Sequence, residues 1–508
     1  MPLRKTARKA WAIGSGVAMR LILVAALVVV LAGCASQPKL GAIDFPISCS
    51  RPAQVEFNRA VALLHHMTYP EARTAFQRVT QIEPGCAMAH WGVAMTLFQP
   101  LWPTRPTPQD LQQGWSEVQT AKQGSLTPRE QLFVAAAEAF FAEPTSRDYW
   151  SRIRDWERAM ERVYASFPDD PEAATFYALA HLAASTPATA RAHADRAGEV
   201  LAAVLARDPD HPGAMHYMIH ANDVPGREHD ALDVTHKYSE VAPRNPHALH
   251  MPTHIYTRLG EWDNVIAGNL QAAEAALEHP AGKHGELVWD EFPHAIEYLV
   301  YAYLQKGMND EASAQVRRLL ATPNLEPTFK TAFHLASTQA RYALERQAWS
   351  EAVGLVPRQP AVVDWSRFAW PEAITHFARG LGAAHLKDEQ VAAASVERLA
   401  ALEGSMRTAG EEIFAKNIQM LRLELSAWIA HAGGKQQQGI DLMQQAAALE
   451  ASTPKHAVTP APTLPAEELL GDMFMEQGHA ADALAAYRRA LDLYPNRLNS
   501  TLGAARAE

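Results

Sequence analysis

Two His-x-x-x-His pairs, His216 with His220 and His250 with His254, are the residues of this chain best suited to chemistry. Residues four apart on a helix share a face, so each pair aims two imidazoles in one direction. Neutral imidazole and carboxylate bind zinc, iron, manganese or copper, and residue types alone do not choose among these ions. The pairs lie 34 residues apart, residue for residue, and eight histidines fall between His211 and His254. The expected centre is one divalent transition metal held by His216, His220, His250 and His254, with Glu297 as a carboxylate ligand. Asp223 and the acidic loop Asp290-Glu291 are candidate hydrogen-bond partners that would fix the ring tautomers. The competing reading needs no metal: single His-x-x-x-His pairs are commonly structural, and polar faces rich in His and Arg also bind peptides.

The elements that must position these residues are helices. Apolar content is 48%, with Ala-rich runs and almost no β-branched alternation. Near the C-terminus, Leu470-Gly471, Phe474, Gly478, Ala483, Tyr487, Ala490 and Pro495 form a spaced set. Small residues at 471 and 483 let two helices approach, Phe474 and Tyr487 fill the space between them, and Pro495 ends the second helix. The set resembles the tetratricopeptide repeat, a helix–turn–helix unit whose period is the histidine spacing. Weaker copies recur, among them Ala72, Phe76, Val79 and Pro84, and Ala197, Leu201, Val204 and Pro209. The fold expected is all-α: a right-handed superhelical solenoid of stacked helix–turn–helix repeats, about eight or nine units over residues 51–508. Pro-rich insertions near 99–110 and 452–465, and a third near 278–292, are expected as loops on the binding face.

The resemblance implies a concave ligand groove lined by the first helix of each unit. Three consecutive units would place His216 and His220, then His247, His250, His254 and Arg258, then His294, Glu297 and Tyr301 in one stretch of it. Phe57 and Trp91 hold the same position in the first two units, as an aromatic end of the groove or as packing for the N-terminal arm. His229 and His236 fall on an outer helix. There is no phosphate-binding Gly loop, no Gly-x-Ser-x-Gly and no His-Glu-x-x-His.

The N-terminus reads as a targeting segment. Arg4, Lys5, Arg8 and Lys9 precede an apolar run from Leu21 to Leu31, and Leu31-Ala32-Gly33-Cys34 follows. This resembles the lipobox of bacterial lipoproteins, which implies cleavage before Cys34 and lipidation of its thiol. The expected organisation is a signal peptide over 1–33, a lipidated linker over 34–50, and the solenoid. Ala35 after the cysteine implies outer-membrane retention facing the periplasm, with the lipid as the membrane contact. Longer strings, including HALHMPTHIYTRLGEW from His247 and CAMAHWGVAM from Cys86, resemble bacterial envelope proteins with tetratricopeptide repeats. Cys49 and Cys86 are a disulfide candidate in that oxidising compartment, with two free thiols as the alternative. The net charge of −10 and the lack of a clustered basic face argue against nucleic acid as a partner.

The leading expectation is a lipid-anchored scaffold that binds a protein, peptide or small ligand in its groove. The alternative is a metal-binding protein or metal-dependent enzyme centred on the paired histidines.

Overall fold

The computed structural model describes residues 39–282 and 285–508, and Leu40–Glu508 form one compact unit. The signal peptide and Cys34 lie outside the described residues. No helix among the described residues is long and apolar enough to cross a membrane.

Helical hairpins follow one another along the chain. The first four are α1 (Arg51–His65) with α2 (Tyr69–Ile82), α3 (Ala87–Met95) with α4 (Pro108–Gln123), α5 (Pro128–Phe141) with α6 (Tyr149–Ser166), and α7 (Pro171–Ala183) with α8 (Ala190–Leu205). Next come α9 (Pro212–Asn222) with α10 (Leu232–Val241), then α11 (Pro246–His250) and α12 (Pro252–Leu259), which together pair with α13 (Trp262–Glu278). The second half adds α14 (Glu291–Gln305) with α15 (Asn309–Ala321), α16 (Phe329–Leu344) with α17 (Trp349–Gly354), and α18 (Ala369–Leu386) with α19 (Glu389–Thr408). It closes with α20 (Glu412–Ala432) and α21 (Gln436–Ala451), α22 (Ala466–Glu476) and α23 (Ala480–Leu493), and a final helix α24 (Leu498–Ala507). That makes eleven hairpins in place of the eight or nine expected, because hairpins such as α5/α6 and α18/α19 lack the spaced signature in sequence. First helices also stack on the first helices of neighbouring units, as α14, α16, α18, α20 and α22 do. This layering is an all-α solenoid of stacked helix–turn–helix units.

The C-terminal signature shows its mechanics in space. A Cβ placed on Gly471 would come within 2.6 Å of the Tyr487 ring, so only glycine allows α22 to lie this close to α23. Tyr487 then buries fully and donates from its hydroxyl to Asp472. The Pro-initiated helices that carry the histidines are capped in register. His211 Nδ1 accepts from Ala214 N at 3.2 Å, and Asn245 Oδ1 accepts from Ala248 N at 3.0 Å. Each cap is followed at once by proline, whose fixed φ suits the first helical turn. The two starts therefore set His216 and His250 at the same phase. Pro252 lacks an N–H and its ring crowds the carbonyl four residues back, so the single helix expected here is split into α11 and α12.

The solenoid turns tightly enough to meet itself. Helix α1 packs against α9, and α14 against α24. Trp262 Nε1 donates to the carbonyl of Asn496, and Arg105 bridges to Glu411 across the two halves. The concave face is therefore interior rather than an open groove, and this is the main departure from expectation. Phe57 and Trp91 are correspondingly not groove residues: both are buried in a cluster with Phe45 of the N-terminal arm, Phe76, Phe133 and Phe176. Cys49 and Cys86, at the starts of α1 and α3, form a disulfide with Cα atoms 5.6 Å apart. The 278–292 insertion forms a short antiparallel ribbon, β1 (Pro280–Ala281) with β2 (Leu287–Val288).

Replacing Gly471 with Ala forces α22 and α23 apart or rotates Tyr487 off its buried position. The expected cost is about 1–3 kcal/mol. Chemical denaturation of the variant against the parent checks it, and an unchanged midpoint would refute the packing argument.

Candidate metal centre

Six histidines converge at the middle of the chain, from α9, α11, α12 and α14. They form two sets of three, His216, His220 and His247 in one and His250, His254 and His294 in the other. Within each set the ligating atoms lie within 4.8 Å of one another. His216 Nε2 is 3.1 Å from His220 Nε2 and 3.0 Å from His247 Nε2, and His250 Nε2 is 3.0 Å from His254 Nε2.

The other ring nitrogens decide what these contacts mean. His216 Nδ1 donates to the carbonyl of His65 at 2.6 Å. His250 Nδ1 donates to Asn269 Oδ1 at 2.7 Å, and Asn269 is oriented by its own donation to the carbonyl of Val265. His254 Nδ1 donates to Asp223 Oδ2 at 2.9 Å, and His247 Nδ1 to Glu291 Oε2 at 3.2 Å. His334 on α16 donates from Nδ1 to Glu297 Oε2 at 2.5 Å, so its Nε2 accepts from His294 Nδ1 at 2.9 Å. Five of the six rings thus carry their proton on Nδ1 and leave a bare lone pair on Nε2. Burial pushes His216, His220, His250 and His294 well below the ordinary imidazole range, and neighbouring rings add to the shift. Burial also lowers His254, against the pull of Asp223. Lone pairs facing each other at 3.0 Å repel unless something positive sits between them. Two nitrogens on a tetrahedral ion, each about 2.0–2.1 Å from it, stand about 3.3 Å apart, close to the spacing here.

The surroundings are charged and paired. Burial opposes ionisation of Asp223, but Lys455 and Arg258 hold its carboxyl well below the usual range, with contacts of 2.8 and 2.6 Å. Glu291 is held down against burial by Lys330, which also reaches Asp290 at 3.1 Å. Two insertions close the site. Trp102 lies beside the His247 ring, and Ala457 and Val458 complete the cover. Lys330 Nζ sits 3.6 Å over the Trp102 ring. Between the two histidine sets remains a cavity of about 20 Å³. A larger pocket of about 350 Å³ opens on the other side of the 452–465 insertion, walled by Phe333, Trp370 and Tyr494 and bearing the buried carboxyls of Glu424 and Glu450.

Several sequence expectations are corrected. His247 and His294, placed in the ligand groove, belong with the histidine sets. Glu297, expected as a ligand, does not reach them: it is consumed by His334, Ser337 and Arg341. At about 100° per residue, Tyr298 stays within about 40° of His294, whereas Glu297 turns about 60° the other way, toward α16. Tyr298 packs on the His250 ring instead. Tyr301, two turns further along, packs between Trp262 and the buried Arg497 and Arg341 rather than lining a groove. Arg258 acts through Asp223 and also lines the larger pocket. His229 and His236 are exposed. His334, Lys330 and Trp102 were not foreseen; a lone His in FKTAFHLAST and one Trp in a loop carry no spacing signal.

Two other groups combine histidine and acid, and in the first His211 Nε2 and Glu172 Oε1 are buried without a hydrogen-bond partner. His65 and His211 both pair with Glu172, and His181 pairs with Glu157 while stacking on His193.

No protein-family model matches the sequence, and no curated protein does. Solved structures similar to it include a human IFIT1 dimer with m7Gppp-AAAA, at 13% identity and TM-score 0.37, covering 84% of this chain and 95% of that one. A human IFIT1 dimer with PPP-AAAA is 14% identical with TM-score 0.31, covering 78% of this chain and 73% of that one. These neighbours are complexes with RNA, which corrects the expectation drawn from charge alone: a negative net charge does not exclude nucleic acid as a partner.

Burial pushes Glu450 up to about 7, although Ala466 N and the Tyr494 hydroxyl donate to it. The unfolded chain ionises near the ordinary value of 4.5, so this group contributes a destabilisation that is absent below about pH 4.5 and complete above about pH 7. Glu450→Gln should match the parent at pH 4 and exceed it at pH 8 by up to about 3 kcal/mol. Denaturation midpoints at both pH values check this; equal differences at the two would contradict it.

Proposed function

We propose that this chain is a transition-metal protein whose centre is the buried histidine core, carried on a lipid-anchored solenoid that faces the bacterial periplasm. The observation that carries the metal reading is the set of bare Nε2 lone pairs held face to face by anchored Nδ1 protons. A core evolved only for packing has no reason to aim acceptors at one another. The ligand atoms are all neutral nitrogen, with carboxylates only behind the rings. That set favours copper or zinc over manganese, which prefers oxygen donors. The anchoring rests on the lipobox-like Leu31–Cys34 segment, and the Cys49–Cys86 disulfide suits an oxidising compartment.

A second, compatible reading is favoured by the pocket of about 350 Å³ next to the centre. It is large enough for a small organic ligand, with an aromatic wall and polar groups to orient it. The scaffold role then concerns this pocket and not an open concave groove.

Thermal melts of the full chain, stripped of metal and then supplied with zinc, copper, iron or manganese, test the metal reading. Copper or zinc at a hundredfold excess over Kd should stabilise by about 2.7 kcal/mol. The double variant His250→Ala with His254→Ala should show a reduced shift while the metal-free protein stays folded. No shift with any of the four ions would overturn the proposal. The anchor is tested separately: Cys34→Ala should abolish palmitate labelling in a bacterial host, and unchanged labelling would refute it.

A further inference from the structure

The sequence suggested one ion shared by two His-x-x-x-His pairs, but the geometry partitions the rings differently. His247 leaves its own helical neighbours and joins His216 and His220, its Nε2 3.0 Å from that of His216. His294 completes the other set, with its ring centroid 4.2 Å from that of His250. Across the boundary, the rings of His220 and His254 have centroids 6.1 Å apart and those of His247 and His250 6.3 Å; since His254 and His294 within one set are also 6.1 Å apart, the partition rests on the ligating atoms. Among the described residues, no group of ligating atoms within 4.8 Å of one another spans both sets. Each set also has its own anchors: the His65 carbonyl and Glu291 for the first, and Asn269, Asp223 and the His334–Glu297 relay for the second.

The cavity of about 20 Å³ lies at the boundary. Its walls include His220 and His247 from one set, His254 and His294 from the other, and Trp102 and Lys330. A water-sized occupant needs about 10–15 Å³ of such volume, so the gap holds one small species and excludes an organic substrate. Lys330 also lines it, with its charge already paired to Asp290 and Glu291, so a bridging anion would answer to the ions alone.

We infer that the core is a dinuclear site, with one late transition ion on each tri-histidine set and one small anionic oxygen ligand, hydroxide in its simplest form, bridging them in the cavity. The inference rests on the metal reading above and adds stoichiometry, ligand partition and the bridge. The 452–465 segment separates this bridge from the larger pocket, so an organic ligand there would meet the ions only by way of that segment.

The test loads the full chain, purified in detergent, with Cu(II) and measures both bound copper and the double-integrated electron paramagnetic resonance signal. Two copper ions per chain are expected, with signal intensity well below the copper content, because a shared oxygen bridge couples the two spins. The variants His216→Ala/His220→Ala and His250→Ala/His254→Ala should each keep one copper, now with full intensity. Circular dichroism checks that they are folded; should either unfold, His247→Gln and His294→Gln serve the same purpose with less lost volume. One copper per parent chain overturns the dinuclear inference and leaves the metal reading standing. Two copper ions with full intensity overturn the bridge. A chain that binds neither copper nor zinc defeats the metal reading itself.

Discussion

Everything at the centre depends on where six protons sit. An imidazole buried without charge has one donor and one acceptor, and the fold spends the donor on a fixed partner for five of the six rings. Those partners are a backbone carbonyl at His65, an amide oxygen at Asn269, carboxylates at Asp223 and Glu291, and the ring of His334. All of them are buried, so the lone pairs on Nε2 are directed inward by the protein and not by chance rotamers. Hydrogen bonding behind a ligating imidazole fixes both its tautomer and its orientation, and raises its basicity.

Holding such a cluster requires a frame that a simple open solenoid does not supply. The first helices of α9, α11–α12 and α14 lie side by side because the repeats are tandem, with axes about 8–10 Å apart. That spacing alone would leave the rings on a solvated concave wall. Tight superhelical closure brings α1 across to α9, where the end of one helix supplies the carbonyl that anchors His216. The loops at 99–110 and 452–465 then fold over the remaining opening, bringing Trp102 and Lys455. Burial in turn keeps His216, His220, His250 and His294 neutral.

Charge is not absent from this interior; it is compensated one step away from the rings. Asp223 faces Arg258 and Lys455, and Glu291 faces Lys330. Buried ion pairs of this kind add little net stability by themselves, but losing one partner leaves an uncompensated charge and costs several kcal/mol. The network therefore ties the position of the 452–465 segment to that of α9 and α12, so the cover, the rings and the larger pocket are mechanically one object.

Period and composition were enough to establish a helical repeat array, and the 34-residue register of His216/His220 with His250/His254 marked its centre. These are local properties: hydrophobic spacing, caps and Pro-initiated helices act within one unit, and tandem units repeat them. The Cys49–Cys86 pairing was legible for the same reason, since it rests on neighbouring helix starts. What the linear pattern could not convey was the handover of rings between units. Glu297 and Tyr298 differ by one position in sequence, yet a turn of about 100° sends the first to His334 and the second to His250. His334 and Lys330 come together from α16 and Trp102 from a loop, and no spacing relates them to the pairs. Only superhelical closure, which depends on the sum of many small rotations between packed helices, decided that the concave face is an interior and that the six histidines divide three and three.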